Sequence, residues 1–337
     1  MRQFLTGLLA FFSAIPSAAA ADQALIDAAK KEGEVVWYTT QIVDQFVRPA
    51  IAAFEGKYGI KVDYVRSGIS DMVLRVINEA KAGHAEGDVV DGTSTSATLK
   101  RENLALKWVP ENRLPSQFVD PQGYWIATNL YVLTPGFNTA LVPEGTEPRT
   151  PRDLLDPKWK NKMAWPIPPA AGLAPEYVGM MLEDMGEEKG LAFLHALAAQ
   201  NITGLAESAR QVLDEVIAGE YPLALQIFDN HAVISAAKGA PVDWIPMSPA
   251  LGVLSVASIT RLAPHPNAAK LFLEFLVSEE GQKIMGASGE LPVHPDVPPG
   301  EPGLRPDGVK FRAVYFTPEQ LDQRLPKWTE IFNDIFR

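Results

Sequence analysis

An α/β fold in two halves is predicted by three features of the chain. Short runs rich in β-branched and aromatic residues alternate with amphipathic helices, the pattern of a parallel sheet covered by helices. Several of these runs end in polar segments that carry glycine and hydroxyl side chains. A proline-rich stretch, Pro143 to Pro157, divides the alternation into two parts.

The first strand is Glu34-Val35-Val36-Trp37-Tyr38-Thr39-Thr40, apolar until it stops at two hydroxyls. Phe46 to Lys57 follows as an amphipathic helix with Phe46, Val47, Ile51 and Phe54 on one face, closed near Gly59. Ile60 to Val65 alternates as a second strand. Ser70 is expected to cap a helix from Asp71 to Lys81, which carries Met72, Val73, Val76 and Ile77 on one side. Asp88-Val89-Val90 is a third strand that runs into Gly92-Thr93-Ser94. In the second half, Met163-Ala164-Trp165 starts a strand that Pro166, Pro168, Pro169 and Gly172 break off. Helices over Gly190 to Ala199 and Arg210 to Ala218 precede a strand at Leu223 to Ile227. Val253 to Ile259 reads as another strand, and Asn267 to Met285 as a helix pair whose stripe of Ala268, Leu271, Phe272, Phe275 and Leu276 belongs to a core. The loop-rich last stretch ends in an aromatic helix, Trp328 to Phe336.

Met1 to Ala21 has the three-part build of a secretory leader: Arg2, the apolar run Phe4 to Ile15, then small residues Ser17 to Ala21. The run is too short to span a bilayer, so the mature chain is expected to start near Ala21 or Asp22 and to work in the periplasm. About 316 residues then remain, enough for about two domains. The chain has no cysteine, so packing alone must hold these domains together, and thiolate metal sites and cysteine nucleophiles are excluded. Net charge is −11, and −12 once Arg2 is removed, which argues against nucleic acid or anionic lipid as a partner.

The histidines His84, His195, His231, His265 and His294 show no zinc spacing. There is no Gly-x-Ser-x-Gly elbow, no phosphate-cradling Gly-x-x-x-x-Gly-Lys loop and no dinucleotide fingerprint, so the reading is binding without chemistry and without a cofactor. In open parallel sheets, ligands sit beyond the carboxyl ends of the strands. That rule gathers Thr39 and Thr40, then Arg66, Ser67 and Ser70, then Thr93 and Ser94 in the first half. In the second it gathers the Pro168 to Gly172 turn, Ser208 and Arg210, and Asn230 and His231. Arg66-Ser67-Gly68-Ile69-Ser70 sets a guanidinium and hydroxyls at a helix start, where unpaired amides favour an anion. Ser208 and Arg210 repeat that arrangement.

Several stretches together carry a resemblance. They are Lys30-Lys31-Glu32-Gly33-Glu34-Val35-Val36-Trp37-Tyr38-Thr39, Tyr64-Val65-Arg66-Ser67-Gly68, Gly219 to Ala224, Lys238-Gly239-Ala240-Pro241-Val242 and His265 to Leu276. With the leader, the chain resembles the periplasmic solute-binding proteins of bacterial ABC importers, in the group that includes ferric-ion-binding proteins. The resemblance covers nearly the whole mature chain. It implies a two-lobed, type II periplasmic binding fold, each lobe a mixed, mostly parallel sheet flanked by helices, with the ligand in the cleft and closure by a hinge. Lobe 1 would comprise 22–130 and 250–295, lobe 2 would comprise 131–249 and 296–337, and the chain would cross near Ala127 to Phe137 and Met247 to Ser258. It also implies a permease as partner and a monomeric receptor.

Ferric-ion members hold the metal with an adjacent tyrosine pair. Here the matching positions are Asn230 and His231, which lack the hard anionic oxygens that Fe³⁺ prefers. Tyr38, Tyr131 and Tyr177 remain as possible phenolates, but no two are adjacent. A small organic anion, such as an organic acid, phosphonate or phosphate ester, is therefore the preferred ligand. A ferric-ion receptor and an exported hydrolase with a scattered active site stay open as alternatives.

Overall fold

The computed structural model describes residues 23–336 apart from 112–113, 169–172 and 302. The leader Met1 to Ala21 and most of the Pro168 to Gly172 turn lie outside the described residues.

Helix α1 (Gln23–Glu32) turns through Gly33, at φ +82, into strand β1 (Glu34–Thr39). A short π-type turn over Val43–Val47 feeds α2 (Arg48–Tyr58), which Gly59 ends in the left-handed conformation. Next come β2 (Lys61–Arg66), α3 (Ile69–Ala82), β3 (Val89–Gly92), α4 (Thr95–Arg101) and the long strand β4 (Ile126–Asn138). The second series runs β5 (Met163–Pro166), α5 (Leu173–Met185), α6 (Glu187–Ala198), β6 (Thr203–Leu205), α7 (Ala209–Ala218), β7 (Leu223–Phe228) and α8 (Asp229–Ala236). Strand β8 (Val242–Trp244) precedes the second long strand, β9 (Ala250–Ile259). Helices α9 (Pro266–Val277) and α10 (Glu279–Ala287), strands β10 (Leu291–Pro292) and β11 (Ala313–Phe316), and helix α11 (Pro318–Phe336) complete the chain.

The strands lie in the order β2-β1-β3-β9-β4-β7-β5-β6, with β11 beside β9, and β8 and β10 beside β4. The flanks are parallel, as the alternation predicts: β1 with β2 and β3, β5 with β6 and β7. The middle is antiparallel along this order, because β9 runs opposite to β3 and β4, and β4 opposite to β7, while β11 lies parallel to β9. Each long strand serves both sides. β9 pairs with β3 through Val256 to Ile259 and with β4 through Leu251 to Ala257, and β4 goes on to pair with β7 through Leu133 to Phe137.

Two aromatic cores flank these strands. Trp37, Phe46, Phe54 and Phe272 pack edge to face beneath β1, with ring centroids 5.0–6.2 Å apart. Beside β5, Trp165 meets Tyr177 and Phe336 edge to face and Phe332 at a tilt, and Trp328 of α11 meets Gly179 of α5 so closely that any Cβ there would lie 2.5 Å from the indole. Edge-to-face pairs add roughly 0.5–1.5 kcal/mol each beyond the area they bury.

Two expectations change. Ser70 does not cap α3: the helix starts at Ile69, Gly68 takes the extended cap position, and Ser70 sits exposed in the first turn. Only Ser67 separates Gly68 from the end of β2, so the extended stretch stops at Gly68 and the helix begins two residues before Asp71. The C-terminal helix begins at Pro318, ten residues before Trp328, because the polar face of its first half hides the amphipathic period.

Candidate functional site

A cavity of about 500 Å³ opens where the carboxyl ends of strands from both flanks converge. Ile69 follows β2, Thr93 and Ser94 follow β3, Glu176 stands in the first turn of the helix after β5, and Phe228 closes β7. Tyr131 and Leu133 of β4 and Leu251 to Val253 of β9 form its floor. Phe316, Leu321, Asp322 and Leu325, from β11 and α11, form a third wall. Placement beyond carboxyl strand ends is where open α/β sheets bind ligands. A roomier hollow of about 730 Å³ is lined only by residues 137–149 and 243–246, from one half, so nothing faces a guest across it.

Behind the first-flank wall lies a buried carboxylate, Asp91. Its Oδ2 accepts from Trp37 Nε1 at 2.8 Å and Thr39 Oγ1 at 2.5 Å, and its Oδ1 accepts from the Thr40 amide and hydroxyl, both at 2.8 Å. Burial pushes its carboxyl up, and these four donors pull it back. Gln41 Nε2 then donates to Asn129 Oδ1 at 2.8 Å and Ser255 Oγ at 3.0 Å, tying the end of β1 to β4 and β9.

The residues singled out from the sequence divide into groups. Thr93 and Ser94 line the cavity. Thr39 and Thr40 are turned to Asp91 and fix the neighbouring strand ends. Arg66 is the last residue of β2, in register with Thr39, exposed and, among the described residues, without an ion pair; Ser67 and Ser70 lie beside it, and none of the three is a described lining residue. Ser208 caps α7 by accepting from the Gln211 amide, and Arg210 pairs with Asp214 and donates to Ser235 Oγ at 2.9 Å. Asn230 is buried and donates to the Gly289 carbonyl at 3.0 Å. His231 packs on the Phe228 ring at 5.0 Å, and burial, then the charge of Arg210, holds its imidazole down to about 4. Ser208, Arg210, Asn230 and His231 are not among the described lining residues.

Glu176 and the α11 wall were not singled out by sequence, and Tyr131 was named there only as a possible phenolate. Glu176 obeys the same strand-end rule once β5 is recognised, since it stands in the first turn after the break. The contribution of α11 had no local signal, because it depends on where the chain returns. Burial pushes the Glu176 carboxyl up to about 8 and the Glu290 carboxyl up to about 7. Burial, then the nearby Glu290, also raises the Tyr131 phenol.

The phenols do not assemble a metal site. Tyr38 is buried with its hydroxyl on Glu79 at 2.6 Å, Tyr177 is buried in the opposite core, and only Tyr131 of the three reaches the cavity. Among the described residues, no group of three or more His, Cys, Asp or Glu side chains is placed to hold a metal.

Strand ends from both flanks thus frame one cavity, and the shared strands β4 and β9 join the two flanks. The chain belongs to the bacterial extracellular solute-binding protein family, whose sequence profile matches residues 35–289. A Salmonella typhimurium periplasmic protein to which 2-aminoethylphosphonate binding is ascribed is 26% identical over 318 residues, covering 89% of this chain and 85% of that protein. Iron-bound HitA from Pseudomonas aeruginosa superposes with a TM-score of 0.73 at 22% identity, over 90% of this chain and 99% of that one. The periplasmic binding protein AfuA from Actinobacillus pleuropneumoniae, with fructose-6-phosphate bound, gives 0.70 at 22% identity, over 89% and 99%. The fold is the two-lobed, type II periplasmic binding fold.

Proposed function

We propose that the chain is the periplasmic substrate-binding component of an ABC importer, and that it captures a small organic solute carrying an anionic group. In this reading it acts as a monomer and catalyses nothing. Lobe 1 is 22–130 with 250–295, and lobe 2 is 131–249 with 296–337. Closing the lobes over the solute produces a form that a permease can tell apart from the open one.

The observation that carries this reading is the cavity built from carboxyl strand ends of both flanks. Its volume lies in the range of pockets for small organic ligands. Support for an anionic group comes from Arg66, a guanidinium at the end of β2 with no ion pair among the described residues, beside a helix start that Gly68 leaves without a side-chain cap. The phosphonate ascribed to one relative and the sugar phosphate held by another fit the same chemistry.

The test is calorimetric titration with phosphonates, sugar phosphates and dicarboxylates, alongside small-angle scattering of the same samples. Micromolar binding by one class with a fall in radius of gyration is expected. Tight binding of neutral solutes alone, or of ferric ion with a visible charge-transfer band, would sink the anionic reading.

A further inference from the structure

The cavity walls restrict the guest further than the strand ends do. Leu133, Phe228, Leu251, Phe316, Leu321 and Leu325 make much of the lining apolar. Among the described lining residues there is no lysine, arginine or histidine, and the charged groups are Glu176 and Asp322. Asp322 is matched by Arg101 at 2.6 Å. Among the described residues Glu176 is not matched: its Oε2 is shielded from solvent and has no hydrogen-bond partner there. Buried polar atoms are nearly always hydrogen-bonded, so an orphan in a cavity wall is a functional candidate. With no cation beside it, the group keeps its proton at neutral pH, since burial has raised it to about 8.

The geometry points to a guest with an apolar body, hydrocarbon or aromatic, and a protonated amino group that meets Glu176. This rests on the reading of the cavity as the ligand site and narrows the substrate class within it. An ammonium supplies both things the carboxyl lacks, N–H donors and a counter-charge, in a setting where charge-assisted bonds are strong. An anionic group at the same spot would find no cation among the described lining side chains, only the hydroxyls of Thr93, Ser94, Thr98 and Tyr131 with two acidic residues beside them. The anionic group of the guest therefore belongs on the Arg66 side, outside the apolar wall. Glu176 also occupies the first turn of α5, where a carboxylate suits the helix dipole without any ligand, and the variants below separate that role from recognition.

The experiment titrates the full chain with alkylphosphonates of two to five carbons and with their ω-amino counterparts. The amino member of each pair should bind about tenfold tighter or more. Each added methylene should tighten binding about fourfold, the worth of burying one CH₂. Glu176→Gln should erase the amino advantage and leave the alkyl series unchanged. Leu321→Ala should flatten the length dependence and keep the amino advantage. Equal affinities within every pair overturn the inference and leave the anion reading standing, as does an amino advantage that survives Glu176→Gln. If no member of either series binds, the inference and the anion reading fall together. Should Glu176→Gln melt below the assay temperature, the paired comparison on the unaltered chain decides by itself.

Discussion

Replacing Asp91 by alanine should cost the protein both stability and ligand affinity. The carboxylate accepts four hydrogen bonds, but their loss is unequal. Thr40 is only half-buried, so water can take over its two bonds. Trp37 and Thr39 are buried, so the indole N–H and the Thr39 hydroxyl are left without acceptors. An unsatisfied buried donor costs about 1–3 kcal/mol, which puts the variant about 2–6 kcal/mol below the parent. At roughly 2.1 cal/mol/K of unfolding entropy per residue over roughly 315 residues, the melting temperature falls by about 3–9 °C. Asp91→Asn should rescue most of the loss, because the amide can turn its oxygen to Trp37 and Thr39 and its NH₂ to Thr40, whose hydroxyl can accept and whose bonds water can replace. Thermal unfolding followed by circular dichroism measures the shift, and titration reports the affinity lost as Thr39, Thr40 and Thr93 shift. An Asp91→Ala chain that melts within 1 °C of the parent refutes the reasoning, since it would mean those donors were never dependent on the carboxylate.

Arg66→Ala should weaken binding of an anionic ligand by about 1.5–3 kcal/mol, the worth of a charge-assisted hydrogen bond, and calorimetry showing unchanged affinity would remove Arg66 from the site. Glu290 is raised to about 7 in the folded chain by burial, above its usual 4.5, so the folded state binds its proton more tightly than the unfolded state does. Its contribution is therefore intact below about 4.5 and lost as pH rises towards 7; Glu290→Gln should flatten the stability profile across that window, and an unchanged profile would count against the burial argument. Gly179→Ala should destabilise by about 1–3 kcal/mol through overpacking, because the added methyl meets the Trp328 indole; chemical denaturation reads the change.

The fold was readable where local chemistry and tertiary context agree. Glu34 to Thr40, Ile60 to Val65 and Leu223 to Ile227 carry the β-branched and aromatic residues of buried strands, and each forms one. The antiparallel middle was not readable from alternation, because it depends on how β4 and β9 lie against strands remote in sequence. The site followed the same division. Thr93 and Ser94 come directly after a strand, so the strand-end rule finds them. The rule also selected Ser208, whose hydroxyl caps its own helix: a cap and a ligand contact draw on the same residue types at the same position. Leu321 and Leu325 reach the cavity from near the end of the chain, a contact with no local pattern.

The shared strands β4 and β9 bear on how the molecule comes apart. Leu133 and Leu251 sit in the core beside β5, while Ile126, Ala257 and Ile259 sit in the core beneath β1, all on the same two strands. Melting either core would strip one end of strands on which the other core is built, so neither half has an intact folding unit to fall back on. Calorimetry should accordingly record a single endotherm whose van't Hoff and calorimetric enthalpies agree, despite several separate hydrophobic centres.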